Sequence, residues 1–268
     1  MPTFEEMEAL ALAAPFSGWD FSWLDARSSH EQMPWSYSAE VASRASAATT
    51  MLDMGTGGGE RLARLASRPR HTVATESWPP NVGVAAGRLR PLGIPVIWCA
   101  SAPENLSPQA AAPADAGRMP FGDGTFDLVI NRHESFRADE VQRILVSGGT
   151  FITRQVDNHS DDDLYRLLGL DVPAAPESWL PVAFQQLTDA GLTVQAVRSG
   201  AEVQHLNDIA AVIYYLRVIS WAIPGYSLDR FRPQLRTAFD TASLWPLPLR
   251  HRRFLVVATK RKIARPSH

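Results

Sequence analysis

Residues 51–60 read MLDMGTGGGE, a short apolar run followed by four glycines within five positions. Glycine weakens any helix or strand that it interrupts, so such a cluster needs a local reason. One possible reason is a tight turn, and the other is a main chain that must lie directly against a ligand. The residues around this stretch have to distinguish between the two.

Short apolar runs alternate with segments that carry apolar residues at helical spacing on both sides of the glycines. Ser38 is the expected N-cap of the first of these helices. Strict alternation of strand and helix is typical of a parallel, doubly wound α/β sheet, and we predict seven strands. Their sequences are TTMLDM, HTVATE, IPVIWCA, FDLVIN, TFITRQV, LTVQAVRS and RRFLVVATK.

The chain of 268 residues is long enough for one α/β core with additions to it. We expect residues 38–200 to form the core and residues 250–268 to supply its final strand and a basic tail. Residues 1–37 and 201–249 carry many of the tryptophans and prolines. We expect them to form an N-terminal helical arm and a helical insertion that together make a lid over the core.

Composition and charge narrow the function classes. A net charge of -2 gives no bulk attraction to nucleic acid or anionic membranes. Cys99 is the sole cysteine, which excludes an internal disulfide and a cysteine-based zinc site, and the histidines lack metal-ligand spacing. The first ten residues are acidic, unlike a signal peptide, and no run approaches the ~18 apolar residues of a membrane span. We therefore expect a cytoplasmic protein without a metal or a membrane partner.

In a doubly wound sheet, ligands bind beyond the carboxyl ends of the strands, often at the first strand–helix turn. The glycine stretch occupies that turn. The dinucleotide fingerprint G-x-G-x-x-G would have its third glycine at position 60, where this chain has Glu60. Because a carboxylate would repel a pyrophosphate, a dehydrogenase is the weaker interpretation.

The spacing of Asp53, Gly55, Gly57 and Gly59 resembles the first motif of class I S-adenosylmethionine-dependent methyltransferases, of the small-molecule, UbiE-like type. The likeness continues over residues 38–198 and the final strand. It includes DAGRMPFGDGTFDLVI, which is similar to the segment before the family's fourth strand, and VQRILVSGGTFITRQV, which is similar to its next helix, turn and strand. The resemblance implies a Rossmann-like methyltransferase sheet. It also implies S-adenosyl-L-methionine as cofactor and S-adenosyl-L-homocysteine as product.

The resemblance further implies roles for single residues. Glu76, at the end of the second strand, would pair with both ribose hydroxyls, and Trp78 would cover the adenine. Ser101 and Asp115 compete to hold the adenine amino group, because extra residues separate Asp115 from the third strand. The main-chain carbonyl of Asn131 would receive the cofactor ammonium. The expected cofactor-binding residues are Asp53, Gly55, Thr56, Gly57, Glu76, Ser77, Trp78, Ser101, Asp115, Ala116, Asn131 and Arg132.

The segment NRHESF, residues 131–136, follows the fourth strand, where the family places acceptor-facing residues. Methyl transfer from a sulfonium is an in-line displacement by an oxygen, nitrogen or carbon nucleophile, and the protein supplies alignment. His133, with an ordinary pKa near ~6.5, could act as general base. Glu134 could orient it or bind the acceptor. Alternatively, both side chains only pair with lid groups or nearby arginines.

In this interpretation the two lid segments determine which acceptor molecule binds. Their aromatic residues, among them Trp19, Trp35, Tyr214 and Trp221, could roof a pocket for a small, partly apolar molecule. A ribosomal or transfer RNA base is the rival acceptor, because the basic tail could neutralise phosphates. A third hypothesis is a protein of this fold that binds the cofactor without methylating. The sequence favours the small molecule and leaves its identity and the oligomeric state open.

Overall fold

The computed structural model describes residues 2–102 and 116–262. Its centre is one sheet, in which the strands are β1 (Ser28–Glu31), β2 (Thr50–Met54), β3 (His71–Glu76), β4 (Val96–Trp98), β5 (Phe126–Arg132), β6 (Leu145–Val156), β7 (Leu192–Leu206) and β8 (Leu247–Lys260). Their order across the sheet is β1-β7-β8-β6-β5-β2-β3-β4.

The helices are α1 (Phe4–Ala13), α2 (Tyr37–Ala45), α3 (Glu60–Ala63), α4 (Pro79–Leu89), α5 (Ala138–Ile144), α6 (Asp162–Leu167), α7 (Leu180–Asp189), α8 (Ile209–Val218) and α9 (Leu228–Asp240). Short 3-10 turns occupy Ser22–Leu24, Arg90–Leu92, Ser220–Ala222 and Ala242–Leu244. None of the described helices has the length and apolar character that a membrane crossing requires.

Strands β2 to β6 pair in parallel, and β2 lies between β3 and β5. Met51 and Leu52 of β2 are fully buried, because helices cover both faces of this part of the sheet. Strand β8 runs antiparallel between β6 and β7. The predicted doubly wound α/β fold is thus confirmed, and the carboxyl ends of β2, β3, β4 and β5 meet at one edge.

The sheet has one strand more than the seven that we predicted. Strand β1 lies in the N-terminal segment and pairs antiparallel with the end of β7, with Ser28 opposite Leu206 and Glu31 opposite Val203. Its sequence SSHE is polar and mostly exposed, so it lacks the alternation that identifies a half-buried strand. The first core helix also begins earlier than predicted, because Ser36 rather than Ser38 is its N-cap.

The N-terminal arm and the insertion between β7 and β8 pack against each other. Helices α1, α8 and α9 share a hydrophobic cluster in which Phe4, Tyr214 and Leu235 are fully buried. The Arg217 guanidinium also donates hydrogen bonds to the carbonyl oxygens of Leu12 and Ala14, each at 2.6 Å. The two segments therefore form one layer with its own core.

Asp127 joins the starts of β2 and β5. Its Oδ2 accepts hydrogen bonds from the main-chain N–H groups of Thr49 and Thr50, each at 2.9 Å, and from the Thr50 hydroxyl at 3.0 Å. Burial alone would raise the pKa of Asp127, but the bonds from Thr50 and Thr49 outweigh it and lower the pKa. Asp127→Ala should reduce the free energy of unfolding by about 1–3 kcal/mol at pH 7.

Since the folded-state pKa of Asp127 is depressed, its contribution is present above the unfolded pKa, near ~3.9, and is lost as pH falls through the folded pKa. Urea denaturation at pH 7 and pH 3 measures this, with the exposed Asp171→Ala as matched control. If Asp127→Ala is less stable than the wild type by the same amount at pH 7 and pH 3, the carboxylate of Asp127 is not the stabilising group.

Candidate functional site

The turn after β2 requires glycine for two separate reasons. Gly55, Gly57 and Gly59 have φ values of 69°, 65° and 79°, a left-handed conformation that side-chain-bearing residues rarely adopt. The turn is also held against β3, because the Thr56 N–H donates to the Thr75 carbonyl oxygen at 2.8 Å. The tight turn is therefore real.

Close approach of other groups is the second reason. A Cβ atom on Gly57 would overlap the ring of Trp19, which comes from the N-terminal arm. One on Gly55 would lie 2.5 Å from the Cβ atom of Glu134. Side chains of the arm and of the turn after β5 thus lie directly on the glycine main chain.

Glu76 stands at the end of β3 and fixes the glycine turn. Its side chain is buried, its Oε2 accepts from the Gly57 N–H at 2.6 Å, and its Oε1 accepts from the Trp78 N–H at 2.8 Å. Burial raises the pKa of Glu76, and the bonds from Trp78, Gly57 and Ser77 only partly offset it. Each carboxylate oxygen keeps an acceptor position for a further donor.

Asp53 is a second buried acid at this edge, 8% exposed. The Thr56 hydroxyl donates to its Oδ2 at 2.7 Å. Burial raises the pKa of Asp53 to about 6, against the lowering effects of the Thr56 bond and the Arg132 charge. No ion pair neutralises Asp53 within residues 2–102 and 116–262, so its surroundings favour a nearby positive charge.

A narrow cleft opens at the carboxyl ends of β2 to β5. We name it the glycine cleft. It brings together four of the residues predicted for cofactor or catalysis, and it also contains Cys99 and Ser135. The four are Gly55, Ser77, Ser101 and Glu134.

A larger cleft lies beyond the ends of β5 and β6. We name it the histidine cleft. Its walls carry polar groups such as His133, Gln155 and His159, and aromatic rings that include Trp221. Ser135 lines this cleft as well as the glycine cleft, so the two spaces meet at the turn after β5.

A buried hydrogen-bond network shapes that turn. The Asn131 side chain is fully buried, and its Oδ1 accepts from the Gln155 amide at 2.6 Å. Its Nδ2 donates to the Glu134 carbonyl oxygen at 3.0 Å. His133 has a φ of 63°, and its N–H donates to the Arg154 carbonyl oxygen at 2.9 Å. The main chain therefore reverses direction at His133.

The reversal places the two predicted catalytic side chains on different sides. His133 borders the histidine cleft, whereas the Glu134 carboxylate lies at the glycine cleft with the hydroxyls of Ser101 and Ser77. Burial raises the pKa of Glu134 despite those hydrogen bonds. In the described chain no hydrogen bond joins Glu134 to the His133 imidazole, so this structure gives Glu134 no orienting contact with it.

His133 borders the histidine cleft and is an exposed residue. The groups around the ring lower its pKa well below the ordinary value, first through partial loss of solvation and then through nearby arginines, above all Arg132 and Arg253. The imidazole is therefore neutral at physiological pH.

Two exposed tryptophans flank the glycine cleft. Trp78, the predicted adenine cover, is 62% exposed. Trp98, at the end of β4, is 58% exposed, and its Nε1 donates to the Ser77 carbonyl oxygen at 3.2 Å. Our sequence interpretation missed Trp98, although an aromatic residue at the end of the third predicted strand was a usable signal.

The competition between Ser101 and Asp115 stays open, because Asp115 lies outside the described residues. Ser101 lines the glycine cleft. The chain resumes at Ala116, whose carbonyl oxygen accepts from the Arg137 guanidinium at 3.3 Å. A Cβ atom on Gly117 would overlap Ala102, so the two described ends lie side by side.

The predicted aromatic roof divides into core and cleft residues. Tyr214 is buried in the lid core, and Trp35 donates to the Ser199 carbonyl oxygen at 3.2 Å. Trp221 lines the histidine cleft and meets Trp19 edge-on with ring centres 5.6 Å apart. Among the described residues, no group of three His, Cys, Asp or Glu side chains is placed to hold a metal ion.

Comparisons with known proteins agree with this geometry. Residues 52–153, from within β2 to within β6, match the family described as "Methyltransferase domain". A comparison with curated proteins found no match.

Solved structures with the same fold include YcgJ from Bacillus subtilis, at 16% identity and a TM-score of 0.54, covering 84% of this chain and 98% of that one. A putative methyltransferase from Bacillus halodurans C-125 gives 16% identity and a TM-score of 0.54, with 85% and 100% coverage. A functionally unknown protein from Deinococcus radiodurans R1 gives 15% identity and a TM-score of 0.52, and the match covers 88% of this chain and 92% of that one. Residues 52–153 are therefore similar to a methyltransferase domain, and the chain shares the predicted doubly wound fold with these structures.

Asp53 provides a test of the electrostatics of the site. A folded-state pKa of about 6 lies above the ordinary value of Asp, so the folded chain binds more protons than the unfolded chain between those values. The wild type should lose stability relative to Asp53→Asn as pH rises from ~4 to ~7, by roughly 2–3 kcal/mol in total.

Urea unfolding of both proteins at several pH values measures the effect. Asp189→Asn, an exposed site at the end of α7, is the matched control and should follow the wild type. A stability difference between wild type and Asp53→Asn that does not change with pH would show that Asp53 titrates normally.

Proposed function

We propose that this chain is an S-adenosylmethionine-dependent methyltransferase that methylates an oxygen, nitrogen or carbon atom of a small, partly apolar molecule by in-line displacement. The observation that carries the proposal is the meeting of the glycine and histidine clefts at Ser135. Two ligands held in adjoining clefts can have their reacting atoms aligned, which is the main contribution of a protein to such a transfer.

The groups around the glycine cleft suit the cofactor. Glu76 keeps acceptor positions for two ribose hydroxyls, and the exposed rings of Trp78 and Trp98 suit the flat face of an adenine. The carboxylates of Asp53 and Glu134 suit a ligand with ammonium and sulfonium charges. When bound, the cofactor supplies an electrophilic methyl group. Trp19 covers Gly57 and would roof the amino acid end of the cofactor.

His133 has the protonation state that a general base needs. Its neutral imidazole can accept the proton of an acceptor hydroxyl or ammonium. Trp221 and Trp179 on the walls of the same cleft would exclude water from the transfer. In this proposal Glu134 acts at the cofactor end of the site.

The contacts of the basic tail favour a small acceptor over RNA. Arg252 pairs with Glu177 at 2.7 Å, and Arg250 pairs with Asp163 at 3.7 Å. The Lys260 ammonium donates to the Leu145 carbonyl oxygen at 2.9 Å. These cations already have partners, which leaves less free charge to neutralise RNA phosphates.

Glu76 tests cofactor binding. Glu76→Ala removes the acceptor of two main-chain N–H groups and both proposed ribose contacts. We expect its free energy of binding to S-adenosylhomocysteine, measured by isothermal titration calorimetry, to become less favourable by about 2–4 kcal/mol.

Asp189→Ala, an exposed carboxylate remote from the clefts, is the matched control and should bind like the wild type. NAD in place of S-adenosylhomocysteine tests the dehydrogenase alternative. Tight binding of NAD, or unchanged affinity of Glu76→Ala for S-adenosylhomocysteine, would refute the cofactor assignment.

His133 tests catalysis. His133→Gln should lower kcat by a factor of about 10²–10⁴ on an accepted substrate, while affinity for S-adenosylhomocysteine stays the same. Because the pKa of His133 is lowered, the wild-type rate should stay level as pH falls through ~6.5. Release of S-adenosylhomocysteine across a panel of small phenols, amines and acids gives the rates.

The exposed His71→Gln, at the opposite end of the sheet, is the matched control. A His133→Gln variant with wild-type kcat would exclude the imidazole as base. Tight cofactor binding with no turnover on any acceptor would favour the hypothesis of a non-methylating protein of this fold.

A further inference from the structure

Four arginines gather beside His133. Arg132 ends β5, Arg154 lies on β6, Arg253 lies on β8, and Arg61 stands in α3 just after the glycine turn. Burial and then mutual repulsion lower the pKa of Arg132, with Arg61 and Arg154 the largest electrostatic contributors. The four guanidinium groups are therefore close enough to repel each other electrostatically.

The sheet register explains how three of them come together. Arg132 lies directly opposite Arg154, and Arg253 lies opposite Val156, two residues further along the same face. Neighbouring strands are about 4.8 Å apart and two residues span about 6.6 Å along a strand, so the three positions form a row about 12 Å long. The row extends from β5 towards β8, whereas the glycine turn follows β2 on the other side of β5.

The positive charge of this row is only partly compensated. Arg154 pairs with Glu202 at 3.1 Å, and Arg253 donates to the Ser160 hydroxyl at 3.0 Å. The side chains of Arg61 and Arg132 form neither a hydrogen bond nor an ion pair in the described chain. Asp53 acts on Arg132 at longer range, and Asp161, Glu202 and Asp157 act on Arg253 without forming an ion pair with it.

Unpartnered polar atoms mark the same place. The Nε atoms of Arg132, Arg154 and Arg253, and the Tyr37 hydroxyl, are shielded from water without a hydrogen-bond partner among the described residues. Protein interiors normally pair buried donors, and a row of like charges opposes folding. An arrangement of this kind is expected where a ligand completes the pairing.

The geometry points to an oxyanion subsite: we propose that Arg61, Arg132 and Arg253 bind a carboxylate or phosphate monoester of the methyl acceptor. Guanidinium groups match both anions through paired N–H donors. The assignment to the acceptor rests on the proposed function. One cofactor carboxylate would not explain the row, because Arg154 and Arg253 lie two and three strands away from β2, whose end carries the turn.

The anion also has a consequence for His133. A protonated imidazole among arginines is unfavourable, and a bound anion would reduce that repulsion. Binding of the acceptor would then raise the basicity of His133 at the moment when a proton has to be taken up.

Calorimetry with the full chain saturated with S-adenosylhomocysteine tests the subsite, with inorganic phosphate and benzoate as probes at constant ionic strength. We expect saturable binding of at least one probe. Arg132→Gln should weaken binding of the probe about tenfold or more. The exposed Arg70→Gln is the matched control and should bind the probe like the wild type.

Binding of benzoate alone would assign a carboxylate acceptor, and binding of phosphate alone a phosphate monoester. If neither probe binds, if a probe competes with S-adenosylhomocysteine, or if Arg132→Gln binds it normally, the inference is overturned while the proposed function stands. Failure of S-adenosylhomocysteine to bind would instead refute the proposed function.

Arg61→Gln is the second variant, since Arg61 is exposed and its loss leaves the core intact. This substitution should also weaken binding of the probe about tenfold or more. Thermal unfolding tests whether both variants are folded. Neither should have a lower unfolding temperature than the wild type, because each substitution removes a cation that its neighbours repel.

Discussion

The hydrogen bond from the Gly57 main chain to the Glu76 carboxylate is the contact on which the site depends. It ties the turn after β2 to the end of β3, and so sets where main chain, buried acid and exposed tryptophans lie relative to each other. The carboxylate stays buried because main-chain N–H groups solvate it. A side chain at Gly57 would overlap the Trp19 ring and strain the left-handed turn that presents this N–H to the acid.

The strands of the core were predictable because their apolar runs are buried by helices on both faces. Strand β1 was not, since SSHE pairs along one edge and buries almost nothing. The glycine stretch signalled the site, but not that Trp19 lies on Gly57, because that contact joins distant parts of the chain. The arginine row was equally hidden: only the sheet register shows that Arg132, Arg154 and Arg253 are neighbours.

The glycine cleft and the arginine row beside His133 differ in charge. The glycine cleft and its surroundings hold the acids Asp53, Glu76 and Glu134, each with a pKa raised mainly by burial. The region beside His133 holds guanidinium groups instead. A cationic ligand would find acids at the glycine cleft and an anionic ligand would find guanidinium groups at the arginine row, whereas the wall of the histidine cleft itself carries Asp157, Asp161 and Asp162. Discrimination between the two ligands thus follows from electrostatics as well as from shape.

His133 is one of few residues with a side chain in a left-handed conformation, which L-residues adopt at a cost of roughly 1–2 kcal/mol. The buried amides stabilise this conformation, because the Gln155 amide donates to Asn131 and the Asn131 amide donates to the Glu134 carbonyl oxygen. The direction in which the His133 side chain leaves the main chain is consequently established during folding, independently of any neighbouring carboxylate. An incoming molecule meets a corner whose main chain is already fixed, so rigidity at this corner would select among acceptors by their shape.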